Sequence, residues 1–94
     1  MSTLRGFWSH PGRSDAEQPL RAWVTVAKAA DWSKPTDIKE MFRSADILAN
    51  DRVVFNIGGN KYRLVVWINY PYRVVYVRFI GTHAQYDRID AQTV

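Results

Sequence analysis

The chain contains no cysteine, which excludes a disulfide framework and any thiolate-bound metal centre and makes the cytosol the natural setting. No apolar run approaches the roughly 20 residues that cross a bilayer, and the N-terminus lacks the charged-then-apolar order of a secretion signal, so neither a membrane nor export is expected. Internal repeats and low-complexity stretches are also missing. What is present is the balance of a folded protein: of 94 residues, 47% are hydrophobic and 23% charged. That is enough for one hydrophobic core and too little for two, so residues 1–94 are expected to form a single domain with one site. Lys plus Arg number 13 against 9 Asp plus Glu, a net charge of +4. A modest basic excess favours an anionic partner such as RNA, but the placement of the charges has to carry that reading.

The apolar pattern changes near the middle of the chain. Residues 1 to about 50 read as helical and residues 52 to 80 as three consecutive strands. Thr3 to Ser9 allows a short helix before His10, Pro11 and Gly12 break it. Ser14 stands three before Glu17, the spacing of a capping box, which predicts a helix to about Ala30 with a kink or late start at Pro19. Leu20, Trp23, Val24 and Ala27 form its buried stripe. Lys34 and Pro35 punctuate the chain, and Thr36 is expected to cap a short helix carrying Ile38, Met41 and Phe42.

From Arg52 the period becomes two. Val53, Phe55 and Ile57 alternate with Arg52, Val54 and Asn56, and Gly58-Gly59-Asn60 signals a hairpin turn. The second strand, Lys61 to Asn69, sets Tyr62, Leu64, Val66 and Ile68 against Lys61, Arg63, Val65 and Trp67. After Tyr70-Pro71-Tyr72 the third strand, Arg73 to Ile80, sets Val75, Val77 and Phe79 against Val74, Tyr76, Arg78 and Ile80. The expected fold is α+β, with N-terminal helices packed on a mainly antiparallel three-stranded meander and a short C-terminal helix.

If the apolar faces of the strands pack on the helices, the other face gathers Asn56, Lys61, Arg63, Tyr76 and Arg78. An ordinary solvated sheet face has the same composition. Arg63 and Arg78 carry more weight because bulky apolar residues flank each. Thr82 and Gln85 then have capping-box spacing, so the closing helix is expected to begin at His83, with free N–H groups suited to a phosphate. His83 and Tyr86 share a face of that helix, just beyond the strand carrying Arg78.

Cutting RNA without a metal needs a base for the 2′-hydroxyl proton, an acid for the departing 5′-oxygen, and positive groups on the phosphate. His83 exchanges protons near neutral pH, while Arg63 and Arg78 only hold charge. Tyr86 is a candidate proton donor, stacking partner or orienting group. Lys61 is a candidate phosphate contact or a shifted acid or base. Asn56, Asn60, Lys61, Tyr76 and Thr82 are the candidate RNA contacts; no cofactor or metal is expected.

The runs Val54-Phe-Asn-Ile-Gly-Gly-Asn-Lys-Tyr-Arg-Leu-Val-Val66 and Val75-Tyr-Val-Arg-Phe-Ile-Gly-Thr-His-Ala-Gln-Tyr-Asp-Arg-Ile-Asp90 closely resemble HigB-type toxins of the RelE superfamily. Ser2-Thr-Leu-Arg-Gly-Phe-Trp8, Ala16-Glu-Gln-Pro-Leu-Arg-Ala-Trp23, Ala30-Asp-Trp32 and Asp37-Ile-Lys39 extend the likeness over nearly the whole chain. The resemblance implies an mRNA endoribonuclease acting on messages in the translating ribosome. It also implies a helix-turn-helix antitoxin of HigA type as inhibitor, with operator DNA bound only through the toxin–antitoxin complex. By the same resemblance Arg63, His83 and Tyr86 serve the reaction, whereas Arg78 and Lys61 come from strand geometry. Similar members begin with a short strand ahead of the Ser-Thr-Leu-Arg segment. Here Met1 directly precedes Ser2, so the sheet is expected to lack that strand and expose an edge. Two other outcomes remain open: a RelE-fold relative that acts on DNA gyrase, as ParE toxins do, and a catalytically inactive domain that binds RNA or antitoxin.

Overall fold

A computed structural model describes residues 2–59 and 61–94. Helix α1 is Ser2–Trp8, a 3-10 turn covers Ser14–Ala16, α2 is Glu17–Ala29 and α3 is Pro35–Met41. Four strands follow, β1 Asp46–Ile47, β2 Arg52–Ile57, β3 Tyr62–Asn69 and β4 Val74–Thr82, before the four-residue helix α4, His83–Tyr86. The α+β arrangement matches the expectation. The sheet, however, has four antiparallel strands in the order β1-β2-β3-β4 rather than three.

The extra strand comes from the segment leading into the sheet. Asn50 and Asp51 both adopt positive φ, 61° and 59°, a conformation these two residue types accept more readily than most. The chain therefore doubles back tightly, Asp46 pairs with Val54, and Ile47 pairs with Val53.

The helix starts also differ. Ser14 makes no capping bond, because residues 14–16 form the 3-10 turn and α2 begins at Glu17 behind Ala16. Pro19 is then the third helical residue, where its missing N–H is one of those that no intrahelical carbonyl would reach anyway, and it neither delays nor ends α2. Pro35, not Thr36, opens α3, the position that a fixed φ favours. Asp37 turns back to accept from the backbone and hydroxyl of Ser33, each at 3.0 Å.

The helices bury Leu4, Phe7, Leu20, Trp23 and Ile38 against Val53, Phe55, Leu64, Val66 and Ile68. Phe55 is the hub, with its ring centroid 5.4 Å from Trp23, 6.0 Å from Trp32 and 5.0 Å from Phe42. On β2 and β3 the alternation is as read from sequence. On β4 it breaks: Val65 pairs with Phe79 but Val66 pairs with Val77, so Arg78 is an extra, bulged residue. One inserted residue inverts the alternation beyond it. Ile80 thus joins the helix side and Phe79 the other, the reverse of the expectation.

The second face of the sheet is not simply solvated. After α4 the chain folds back across it, and Ile89, Ala91 and Val94 gather with Leu48, Val54, Val65 and Phe79 into a smaller apolar cluster. The Val94 main-chain oxygen accepts from Arg52 Nη2 at 3.0 Å and from Arg78 Nε at 3.2 Å.

Polar contacts also join the two halves of the fold, among them one at the 3-10 turn. Asp15, in the 3-10 turn, accepts from the Lys61 ammonium and, at 2.6 Å, from the Tyr62 hydroxyl. The hydrogen bond from Lys61, followed by that from Tyr62, holds the Asp15 carboxyl below the ordinary carboxylate range; the same contact raises Lys61. A carboxylate lowered by folding stabilises above its unfolded pKa, about 4, and that contribution is lost as pH falls through the lower folded value. The lysine contribution is complete below its unfolded pKa and is lost as pH rises through the raised one. Asp15→Asn is therefore expected to lower the urea midpoint at pH 7. The gap to the parent protein should close as the medium is acidified below about pH 4, as read by denaturation across pH.

Candidate active site

Arg63 lies on the second face of β3, opposite Asn56 of β2 and Gly81 of β4. Glycine matters at this point. A Cβ at position 81 would stand 2.6 Å from Gln85 Oε1 and 2.7 Å from a Phe79 ring carbon. Only a bare backbone lets Gln85 sit over the strand end, where it completes the capping box. The Thr82 hydroxyl accepts from the Gln85 N–H at 3.2 Å, and the Gln85 side chain accepts from the Thr82 N–H at 2.9 Å. The cap starts α4 at His83 as the spacing predicted. Gly81→Ala is expected to destabilise the fold by about 1–3 kcal/mol, the range for overpacking a filled site, measurable by urea unfolding.

The turn at Thr82 brings His83 and Tyr86 back over Arg63. Arg63 Nη2 is 2.8 Å from His83 Nε2, its Nη1 is 3.7 Å from the Asp46 carboxylate, and its guanidinium carbon is 5.2 Å from the Tyr86 ring centroid. A guanidinium has donors only, so the contact to Nε2 uses that nitrogen's lone pair. The ring proton then belongs on Nδ1, which faces the Asp87 carboxylate at 3.5 Å. Arg63 is thus poised between an imidazole and a carboxylate, with an aromatic ring against it. Its side chain is only 15% exposed. Arg63 Nε and the neighbouring Asn56 Oδ1 are both buried without a partner among the described residues, while Asn56 Nδ2 donates to the Ser44 carbonyl at 3.3 Å. Unmet polar atoms side by side on one surface ask for a functional explanation.

The predicted residues divide. Arg63, His83 and Tyr86 come together, with Asn56 adjacent. Lys61 does not join them, because Asp15 draws its ammonium toward the helices. Arg78 stays on the right face, but its side chain is bonded to Val94 instead of reaching His83. Tyr76 lies farther along the sheet, stacked on Trp67. The Thr82 hydroxyl is taken up by the cap, and Asn60 lies outside the described residues. Two carboxylates at the site, Asp46 and Asp87, were not foreseen. The four-residue step from His83 to Asp87 was a readable signal once the helix was placed; Asp46 depends on the pairing of β1 with β2 and had none. A groove of about 350 Å³ between α1, α2 and β4 opens on the helix side and includes none of these residues.

The antiparallel sheet covered on one face by helices and closed by a short C-terminal helix is consistent with the RelE-like fold. The family model of the HigB toxin, described as the RelE-like toxic component of a toxin-antitoxin system, matches residues 16–89. The chain belongs to the HigB toxin family. The mRNA interferase HigB of Escherichia coli O6:H1 (strain CFT073) is 31% identical over 72 residues, 74% of this chain and 70% of that protein. The mRNA interferase toxin HigB of Escherichia coli K12 and the mRNA interferase HigB of Shigella flexneri are each 35% identical over 65 residues. Those matches cover 67% of this chain and 62% of each relative, just under two thirds of their length.

Proposed function

We propose that this HigB-family toxin is an mRNA endoribonuclease that needs no metal, acts on messages in the translating ribosome, and works in the cytoplasm. Its inhibitor is a HigA-type helix-turn-helix antitoxin, and operator DNA is reached only through the toxin–antitoxin complex. The observation that carries the reading is the 2.8 Å approach of Arg63 to His83 Nε2 beneath Tyr86. The relatives that are similar over most of this chain bear the name mRNA interferase.

The chemistry follows from the donor set. A scissile phosphate replaces His83 and Asp46 as the partner of Arg63, which frees the Nε2 lone pair to take the proton of the 2′-hydroxyl. The 2′-oxygen attacks phosphorus and the bond from phosphorus to the 5′-oxygen breaks. Arg63 stabilises the negative charge that builds on the equatorial oxygens. The Tyr86 hydroxyl gives its proton to the departing 5′-oxygen, while its ring fixes the plane of the guanidinium. Asp87 keeps the imidazole proton on Nδ1, and Asn56, opposite Arg63 on β2, lines the RNA side of the site. Lys61 ties the hairpin to the 3-10 turn, and Arg78 ties the tail to the sheet through its Nε.

The products test this route. Cleavage of an mRNA in a reconstituted translation reaction is expected to leave a 2′,3′-cyclic phosphate and a 5′-hydroxyl. Ends of 3′-hydroxyl and 5′-phosphate would point to water as the nucleophile and contradict it. Tyr86→Phe keeps the ring and removes the proton, and is expected to lower the cleavage rate by about 10²-fold, as measured in single-turnover reactions. Gyrase supercoiling is expected to be unaffected by the purified toxin.

A further inference from the structure

The second face of the sheet carries another feature that the cleavage chemistry does not use. β3 and β4 set Trp67 directly opposite Tyr76, and the two rings stack with centroids 5.0 Å apart and planes 23° from parallel. Trp67 is half-buried and Tyr76 is 44% exposed. Neither ring belongs to either apolar cluster. Trp67 is four residues along β3 from Arg63 on the same face, roughly 13 Å at the rise of an extended strand.

Guanidinium groups flank the plate. Arg52 of β2 is opposite Trp67 on the other side, and Arg78 follows Tyr76 on β4. Arg52 donates to the main-chain oxygens of Asn50 and Val94, and Arg78 to that of Val94. Elsewhere Arg21, Lys61, Arg63 and Arg73 each face a carboxylate. Among the described residues neither Arg52 nor Arg78 has an Asp or Glu partner; both bond the oxygen of Val94, and the exposed Arg78 has terminal nitrogens left over for an anionic ligand.

We propose that Trp67 and Tyr76, with Arg52 and Arg78 beside them, form a base-stacking subsite for single-stranded RNA away from the scissile step. The inference rests on the ribonuclease reading and gives it a second point of contact. An exposed aromatic plate accepts any base on its π-face, and the adjoining guanidiniums meet the phosphates. Trp, Tyr and Arg also concentrate in protein interfaces. RNA is favoured here because the plate shares its sheet face with Arg63 and His83 and has a guanidinium on each side of it.

The test is direct binding of a fluorescein-labelled, fully 2′-O-methylated single-stranded RNA, which cannot be cut. Tyr76→Ala and Trp67→Leu are expected to raise Kd about tenfold, whereas Tyr76→Phe, which keeps the ring, restores it. In mRNA cleavage the same substitutions are expected to act on KM more than on kcat. Parental Kd values in both variants, with urea midpoints showing that they fold, would overturn the subsite while the parent's cleavage left the ribonuclease reading standing. Failure of the parent protein either to bind the RNA or to cut mRNA would remove both. Loss of antitoxin binding with RNA binding intact would make the plate a protein interface and would also overturn the proposal.

Discussion

Substituting His83 with alanine is expected to reduce mRNA cleavage by about 10²–10⁴-fold, the usual contribution of a positioned general base. The loss should appear in kcat. His83 Nε2 is the proton acceptor nearest the guanidinium that holds the phosphate, at 2.8 Å, and Asp87 beyond Nδ1 keeps the ring in the tautomer that leaves Nε2 free. His83→Gln offers an acceptor that cannot carry the proton away, and is expected to be as inactive as alanine. The His83 side chain is about half exposed and belongs to neither apolar cluster, so stability should change by no more than about 0.5 kcal/mol. Rates from quenched translation reactions, set beside urea midpoints for the same proteins, separate lost chemistry from lost folding.

Arg63 is expected to be nearly as sensitive, with Arg63→Lys losing about 10²–10³-fold in kcat. Charge alone does not account for its position. The guanidinium spans an imidazole nitrogen, the Asp46 carboxylate and the face of Tyr86 at once, which a planar, forked cation can do and a single ammonium cannot. If lysine restored full activity, Arg63 would be acting as a point charge and the geometric account of the site would be wrong. The comparison is made by kcat and KM for arginine, lysine and alanine at this position.

The sequence made some of these features plain and hid others for physical reasons. The faces of β2 and β3, and hence the outward position of Arg63, follow from strict alternation of apolar residues. The start of α4 follows from Thr82 and Gln85, because a cap is a local contact between near neighbours. The bonding of Arg78 to Val94 was not legible, because a bulge depends on which residues of β3 and β4 pair, and that register is set by the whole sheet. Phe79 and Ile80 changed faces for the same reason. The pairing of Lys61 was not legible, because its partner, Asp15, is distant in sequence and meets it only after the helices dock. The lost cap at Ser14 and the unforeseen strand β1 show the same division. Ser14 is held in a 3-10 turn by the packing of Ala16 beneath it, while the positive-φ pair Asn50 and Asp51 makes a turn that looked, in sequence, like a polar lead-in. Asp46 entered the site through that turn.

A single 2′-deoxy substitution at a mapped cleavage position examines the chemistry at the atom on which it depends. In a translation reaction with the parent toxin, the message carrying that substitution should remain uncut at the modified site while other sites are cleaved normally. Cutting there at the unmodified rate would mean that the 2′-oxygen is not the nucleophile, and that Arg63, His83 and Tyr86 meet for some other purpose.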